Sequence, residues 1–266
     1  MNKKHVYHSK PCDEFGHVHY SNEENETWSF LLERQKDLIK KRASKEFILG
    51  TELLGFKNEI PQHQEISAVL KSYTGWGVEP VPALIQPEQF FGLLSNKRFP
   101  VANFIRIPQE IDYIKEPDIF HEIFGHCPLL THAAYAEFMY QFAKIASAAD
   151  RKIQMRMFRL FWFTIEFGLI KEGDHFLAYG GGILSSKSEI IYSVESDIPK
   201  RYLLDTERVL RTPFRIDILQ PQYFYITSFH DLFKLLDRDL IKQVVDSLNL
   251  PDFLPMYAPV LKKKVE

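Results

Sequence analysis

Between residues 25 and 43 the apolar residues Trp28, Leu31, Leu32, Leu38 and Ile39 recur mostly every three or four positions, the period of a helix burying one face. Ser44 is placed to open a second, shorter helix. The stretch 66–85 starts as a helix, which Gly75, Gly77, Pro80 and Pro82 convert into an extended turn. Residues 88–94 read as helical again. A helix over 116–130 has Pro117 at its start and Pro128 at its end. Two more are expected over 132–148 and 149–170, the second apolar nearly all round in its latter half and therefore interior. Glycines at 180–182 lead into a β-like tail ending near 194, and FRIDI at 214–218 followed by YFYIT alternates enough for short strands. A last helix over 229–247 completes the pattern.

The fold class expected is mainly α with a small β element, in a single catalytic domain over residues 25–266. No fixed-period repeat or linker divides it. Residues 1–24, with His5, His8, His17 and His19 among polar neighbours, read as a loosely ordered arm whose histidines are surface residues. A length of 266 residues allows one large domain or two small ones at roughly 150 residues per domain.

Composition removes several classes of function. A formal charge of -2 offers no basic field for nucleic acid, and the short runs at 40–42 and 262–264 read as solvated faces. No apolar run approaches the ~20 residues that cross a bilayer, so no membrane partner is expected. The lysines near residue 1 are followed by no apolar stretch, so a secretory signal is not expected and the cytoplasm is. Cys12 and Cys127 form neither a disulfide framework nor a CxxC motif. The 14% aromatic content, with 22 phenylalanines, supplies core and can also line a pocket.

The candidate chemistry lies in HEIFGH and FWFTIEFGL. On a regular α-helix His121 and His126, five apart, would point about 140° apart at about 100° per residue. Spacing four, as in HExxH, is absent, so the zinc-protease motif does not apply. A common ion requires the helix to end or loosen at Gly125. Glu166 is a carboxylate among aromatic and aliphatic residues, where an ionised group needs a partner. Two imidazoles and one carboxylate hold an ion on one side and leave the other open. That suits iron(II) and oxygen activation, although catalytic zinc uses the same ligand types. Cys127, beside His126, is a rival donor, but a small buried thiol is its simpler role.

TGW at 74–76, LLSNKRF at 93–99, EPDIFHEIFGH, FWFTIEFGL and AYGGGILSS occur in an order that resembles the pterin-dependent aromatic amino acid hydroxylases. The resemblance implies Fe(2+) and a tetrahydropterin, such as tetrahydrobiopterin, as cofactors, with His121, His126 and Glu166 on the metal. It implies hydroxylation of L-phenylalanine to L-tyrosine with O2, the first step of phenylalanine catabolism, tryptophan or tyrosine being the alternative substrates. Arg106 then pairs with the substrate carboxylate, Asp118 is the acid beside it, Trp162 packs by the substrate ring, and Ser185 orients His121. Gly92, Leu93, Leu94, Ser95 and Phe99 resemble the pterin loop, Phe99 being the stacking ring, and Glu122 an acid near the pterin.

Phe161 and Ile114 depart from the tyrosine and threonine of animal members. Nothing resembles their regulatory domain or tetramerisation helix, so a monomer or small homo-oligomer without substrate-triggered activation is expected. A zinc hydrolase and a non-catalytic amino acid sensor are the readings from other classes. AYGGG lacks the GxGxxG spacing of a nucleotide loop.

Overall fold

Ser21 and Glu24 set where the first helix begins. The Ser21 hydroxyl accepts the Glu24 N–H at 3.3 Å while the Glu24 carboxylate accepts the Ser21 N–H at 2.6 Å, a reciprocal cap that satisfies two otherwise orphan donors. The computed structural model describes residues 7–236 and 239–257. His5 and the lysines at 262–264 lie outside them. Helix α1 runs over Asn22–Ile39, burying Trp28, Leu31, Leu32 and Ile39, the stripe that the periodicity predicts. Ser44 caps α2, Lys45–Leu54. Helix α3, His63–Thr74, stops at Gly75 with φ of 78°, a left-handed position suited to glycine.

The turn expected after Gly75 is instead strand β1, Gly77–Val81, paired in parallel with β2, Arg98–Ala102, beyond α4, Pro87–Leu94. Two isolated strands tolerate Pro80, because each has an unpaired edge. The helix expected over 116–130 is three pieces: a lead-in, a π-helix over Phe120–His126, and a 3-10 turn over Pro128–Thr131. Helix α5, Ala133–Ser147, matches expectation.

The helix expected over 149–170 ends early. Helix α6 is Arg151–Phe161, a second π-helix follows over Trp162–Glu166, and the chain turns at Phe167 into β3, Gly168–Glu172. Apolarity all round signalled burial correctly, but buried strands and buried helices share it. β3 belongs to a four-stranded sheet, ordered β4-β3-β6-β5, with β4 at His175–Ala178, β5 at Lys200–Leu203 and β6 at Gln222–Ile226. The pair β3–β4 is antiparallel, and β6 runs parallel to both β3 and β5.

Three more expectations are corrected. The β-like tail before 194 is a helix: α7, Gly181–Leu184, leads to α8, Lys187–Glu195, capped by Ser186. FRIDI is a loop between α9, Thr206–Arg211, and strand β6; the carbonyls of Arg215 and Ile218 bond to the Gln220 side chain rather than to a strand. The last helix is divided into a 3-10 stretch, Phe229–Leu235, and α10, Leu240–Leu248. Residues 7–20 lack regular structure, yet they are fastened: Ser9 Oγ donates to Val81 O at 2.7 Å, and Val18 is buried.

Candidate active site

The two π-helices carry the three candidate metal donors. Hydrogen bonds of i→i+5 type widen the turn, as in Phe167 N–H to Trp162 O at 2.8 Å, and bring residues five apart onto one face. His121 and His126 therefore converge without any loosening at Gly125, which corrects the expectation drawn from α-helical geometry. On the other side of the same turn Phe120 and Phe124 stack at 4.9 Å and 7°, against Trp28 and Phe47. The aromatic core holds one side, and the imidazoles face the other.

The Nε2 atoms of His121 and His126 are 3.3 Å apart, and Glu166 oxygens lie 3.6 and 3.2 Å from them. Donors about 2.0–2.2 Å from one ion, at right angles, sit about 3 Å apart, so this set fits a bound divalent ion. Among the described residues it is the one group of three or more such side chains so placed; His8, His17 and His19 do not join it. Ser185 Oγ donates its single hydrogen to Gly181 O at 2.9 Å and contacts His121 Nδ1 at 2.9 Å. The serine must accept there, so Nδ1 carries the proton and Nε2 turns a lone pair to the site. Burial opposes ionisation of Glu166, but His126, His121 and the Gly182 N–H outweigh it and hold the carboxyl low. Burial likewise keeps His121 neutral against the pull of Glu166. Carboxylate and neutral imidazole are the donor forms.

The glycine run at 180–182 is a close-packing surface. A Cβ on Gly180 would lie 2.3 Å from Glu166 O, and one on Gly181 2.4 Å from His126 Cε1. No side chain fits between this run and the donors.

A cavity of 430 Å³ opens beside them, lined by Arg106, Ile114, His121, Trp162, Glu166 and Ser185, among others. Arg106 Nε and Nη2 each donate to Asp118 at 2.8 Å. Both residues are buried, and Asp118 also accepts the Arg106 and His121 backbone N–H groups at 3.0 Å. Burial disfavours its charge, yet Arg106 holds it below the usual carboxylate range. Asp118 is thus not in the cavity wall; it aims the arginine, which does line the cavity and whose Nη1 reaches Ile111 O at 3.5 Å. Trp162 stacks on Phe214 at 16° and is tilted by 32° against Phe167, at 4.4 Å from each.

The six residues of the expected pterin site lie apart from this cavity. Phe99 packs on the His126 imidazole at 4.9 Å. Glu122, buried rather than solvent-facing, accepts the Ala102 N–H at 2.6 Å, and burial, aided by Asp118 and Glu166, pushes its carboxyl well up. Gly92 has open space where a Cβ would be. Leu94 is wholly buried, and the Leu93 and Leu94 carbonyls are taken by Asn96 and Lys97 N–H groups; Ser95 Oγ turns back to Gly92 O. The Phe99 ring and the Glu122 carboxyl thus adjoin the donors, while the Leu94 side chain is part of the core.

Sequence reading missed Gln220 and Glu189. Gln220 Oε1 accepts Trp162 Nε1–H at 3.2 Å. Its own N–H goes to Glu189, which also accepts the Tyr223 hydroxyl at 2.5 Å. The only signal was a glutamate beside Ile190 and Ile191.

The family described as biopterin-dependent aromatic amino acid hydroxylase matches residues 2–251. The phenylalanine-4-hydroxylase of Pseudomonas aeruginosa is 45% identical over 254 residues, covering 95% of this chain and 97% of its own. The phenylalanine hydroxylase structure from Legionella pneumophila gives a TM-score of 0.91 at 47% identity, covering 94% of this chain and 100% of that one. The Chromobacterium violaceum phenylalanine hydroxylase with bound oxidized Fe(III) gives 0.85 at 38%, covering 88% and 86%. With the donor geometry and the agreement in fold along nearly the whole length, the chain belongs to the biopterin-dependent aromatic amino acid hydroxylases.

Proposed function

We propose that this protein hydroxylates L-phenylalanine to L-tyrosine with O2 as an iron- and tetrahydropterin-dependent monooxygenase, serving the first step of phenylalanine catabolism. The observation that carries this reading is the convergence of His121, His126 and Glu166 on the wall of a cavity that also presents a buried arginine and a stacked indole. The relatives' names, at 38–47% identity, point the same way.

Bound ferrous iron and tetrahydropterin supply the electrons and the site at which dioxygen is activated. The chain's own residues do the rest. His121, His126 and Glu166 hold the metal on one side and leave its other positions open. Arg106, aimed by Asp118, takes the amino acid carboxylate, and the Trp162 indole packs beside the ring. Phe99 and Glu122, with the Gly92–Ser95 backbone, form the pterin's seat. Ser185 keeps His121 in the donor tautomer. The apolar walls exclude water, which strengthens every charge interaction inside.

Residues 25–266 act as one catalytic domain, to which the amino-terminal arm is appended. We place the protein in the cytoplasm as a monomer or small homo-oligomer working on small molecules alone. Two unpaired cysteines and a near-neutral charge support this, and among the described residues no helix is long and apolar enough to cross a membrane.

Tyrosine formation from phenylalanine with iron(II), tetrahydropterin and O2 is the test. Running phenylalanine, tryptophan and tyrosine side by side decides the ring. No product from any of them would reject the reading, and zinc-restored, pterin-independent hydrolysis would replace it.

A further inference from the structure

Packing against Phe214, stacked at 16°, and Phe167, tilted at 32°, restrains the plane of the Trp162 indole but not its position within that plane. Only a directional bond to its single donor does that. Gln220 supplies it, accepting Trp162 Nε1–H at 3.2 Å. The same side chain, 1% exposed, spends its two amide hydrogens on Arg215 O at 2.8 Å and Ile218 O at 3.0 Å. These carbonyls belong to the 215–219 loop, whose residues Ile216, Asp217, Ile218 and Leu219 line the cavity. The Gln220 backbone is in turn anchored on Glu189, another lining residue, at 3.1 Å. One buried amide therefore joins the indole wall to the loop beside it. Ile216 and Leu219 are 51% and 42% exposed, so apolar packing alone does not hold the loop in place.

We propose that Gln220 is a positioning residue for the amino acid substrate: it locks the Trp162 indole and the 215–219 loop into one placement and thereby sets affinity for the aromatic side chain. The inference rests on the reading of this cavity as the amino acid site. Loss of the bond frees the indole to slide and the loop to drift, so a bound ring meets a wall of several positions and binding weakens. Gln220 makes no bond to a metal donor or to the Phe99 side of the centre, so pterin use stays as it was.

The test compares wild type with Gln220→Met, which keeps length and packing but removes the polar contacts, in both the native and Trp162→Phe backgrounds. Phenylalanine binding is read by calorimetry and turnover by steady-state kinetics. Gln220→Met, which removes three side-chain bonds, is expected to raise the phenylalanine KM and calorimetric Kd by at least about tenfold, with kcat and pterin KM within about twofold. In the Trp162→Phe background the same change should have a smaller effect, because one of the three side-chain bonds it removes is already gone. Unchanged phenylalanine binding, an undiminished effect in the Trp162→Phe background, or a fall confined to kcat overturns the proposal. If Gln220→Met does not fold, Trp162→Phe alone decides, since it deletes the bond from the donor end; unaltered phenylalanine binding there overturns it. An inactive wild type that binds no phenylalanine instead disposes of the underlying reading of the cavity.

Discussion

Ser185 Oγ and His121 Nδ1 are 2.9 Å apart, and because the serine hydrogen is already given to Gly181 O, the imidazole is the donor in this contact. One hydroxyl thus decides which nitrogen of His121 faces Glu166 and His126.

Removing that hydroxyl should loosen the metal without removing a ligand. Ser185→Ala is expected to lower iron affinity about 10–100-fold, the usual loss when a partner of a metal-bound histidine is deleted. Competition against a chromophoric chelator measures it. His121→Ala, His126→Ala and Glu166→Ala should retain no iron at all. Full iron content in any of these three would contradict the ligand assignment.

Gly181→Ala tests the fit between the glycine run and the donors. Its Cβ would sit 2.4 Å from His126 Cε1 and 2.6 Å from Nδ1, so the ring must move. Overpacking of this kind costs about 1–3 kcal/mol. Urea denaturation should show that loss, and iron content should fall with it, although no donor has changed. An alanine variant with wild-type stability and iron would show that the two segments separate freely.

Asp118 and Arg106 form a buried pair with side chains 0% and 5% exposed. Asp118→Ala leaves the guanidinium unpaired, at a cost of about 3–5 kcal/mol. Arg106→Lys retains the charge and loses the fork; it should raise phenylalanine KM far more than it alters pterin KM. Equal rises in both would remove Arg106 from the substrate carboxylate.

Glu189 should make stability depend on pH. Burial raises its carboxyl from 4.5 to about 7, against the opposing bonds from the Tyr223 hydroxyl and the Gln220 N–H. A raised carboxyl is stabilising in its protonated form. That contribution is complete below pH 4.5 and is lost as pH rises through 7. Glu189→Gln keeps an acceptor oxygen and cannot ionise. Its stability relative to wild type should therefore improve between pH 5 and pH 8, by up to about 3 kcal/mol. The same difference at both pH values would show that Glu189 is not buried as described.

Helices announced by a periodic stripe or a cap are legible in the residue order alone, as Trp28, Leu31 and Leu32 in α1 and Ser44 before α2 show. Of the strands only β6, Gln222–Ile226, at the expected YFYIT, is legible. β1 and β2 pair only with each other, and β3 continues an apolar stretch that reads equally well as buried helix. Lys187–Glu195 carries Ile190 and Ile191 yet is helical, because the Ser186 cap and burial of Ile190 outweigh a modest β preference. In the site, the metal donors and Arg106 could be singled out by residue type and motif. Gln220 could not, since its role consists of four bonds to residues between two and fifty-eight positions away.

The chain's residue order by itself determined the helical framework, the donor types and the family resemblance, because these depend on local periodicity, on chemical identity and on motifs read directly. Tertiary structure decided the rest. Whether residues 120–126 wind as α or π is settled by Phe120 and Phe124 packing into the aromatic core. Only the π turn brings two histidines five apart to one point. Which atoms then meet there depends on Glu166, Gly181 and Ser185, contributed by other segments whose approach is a property of the packed molecule and is written in no stretch of sequence.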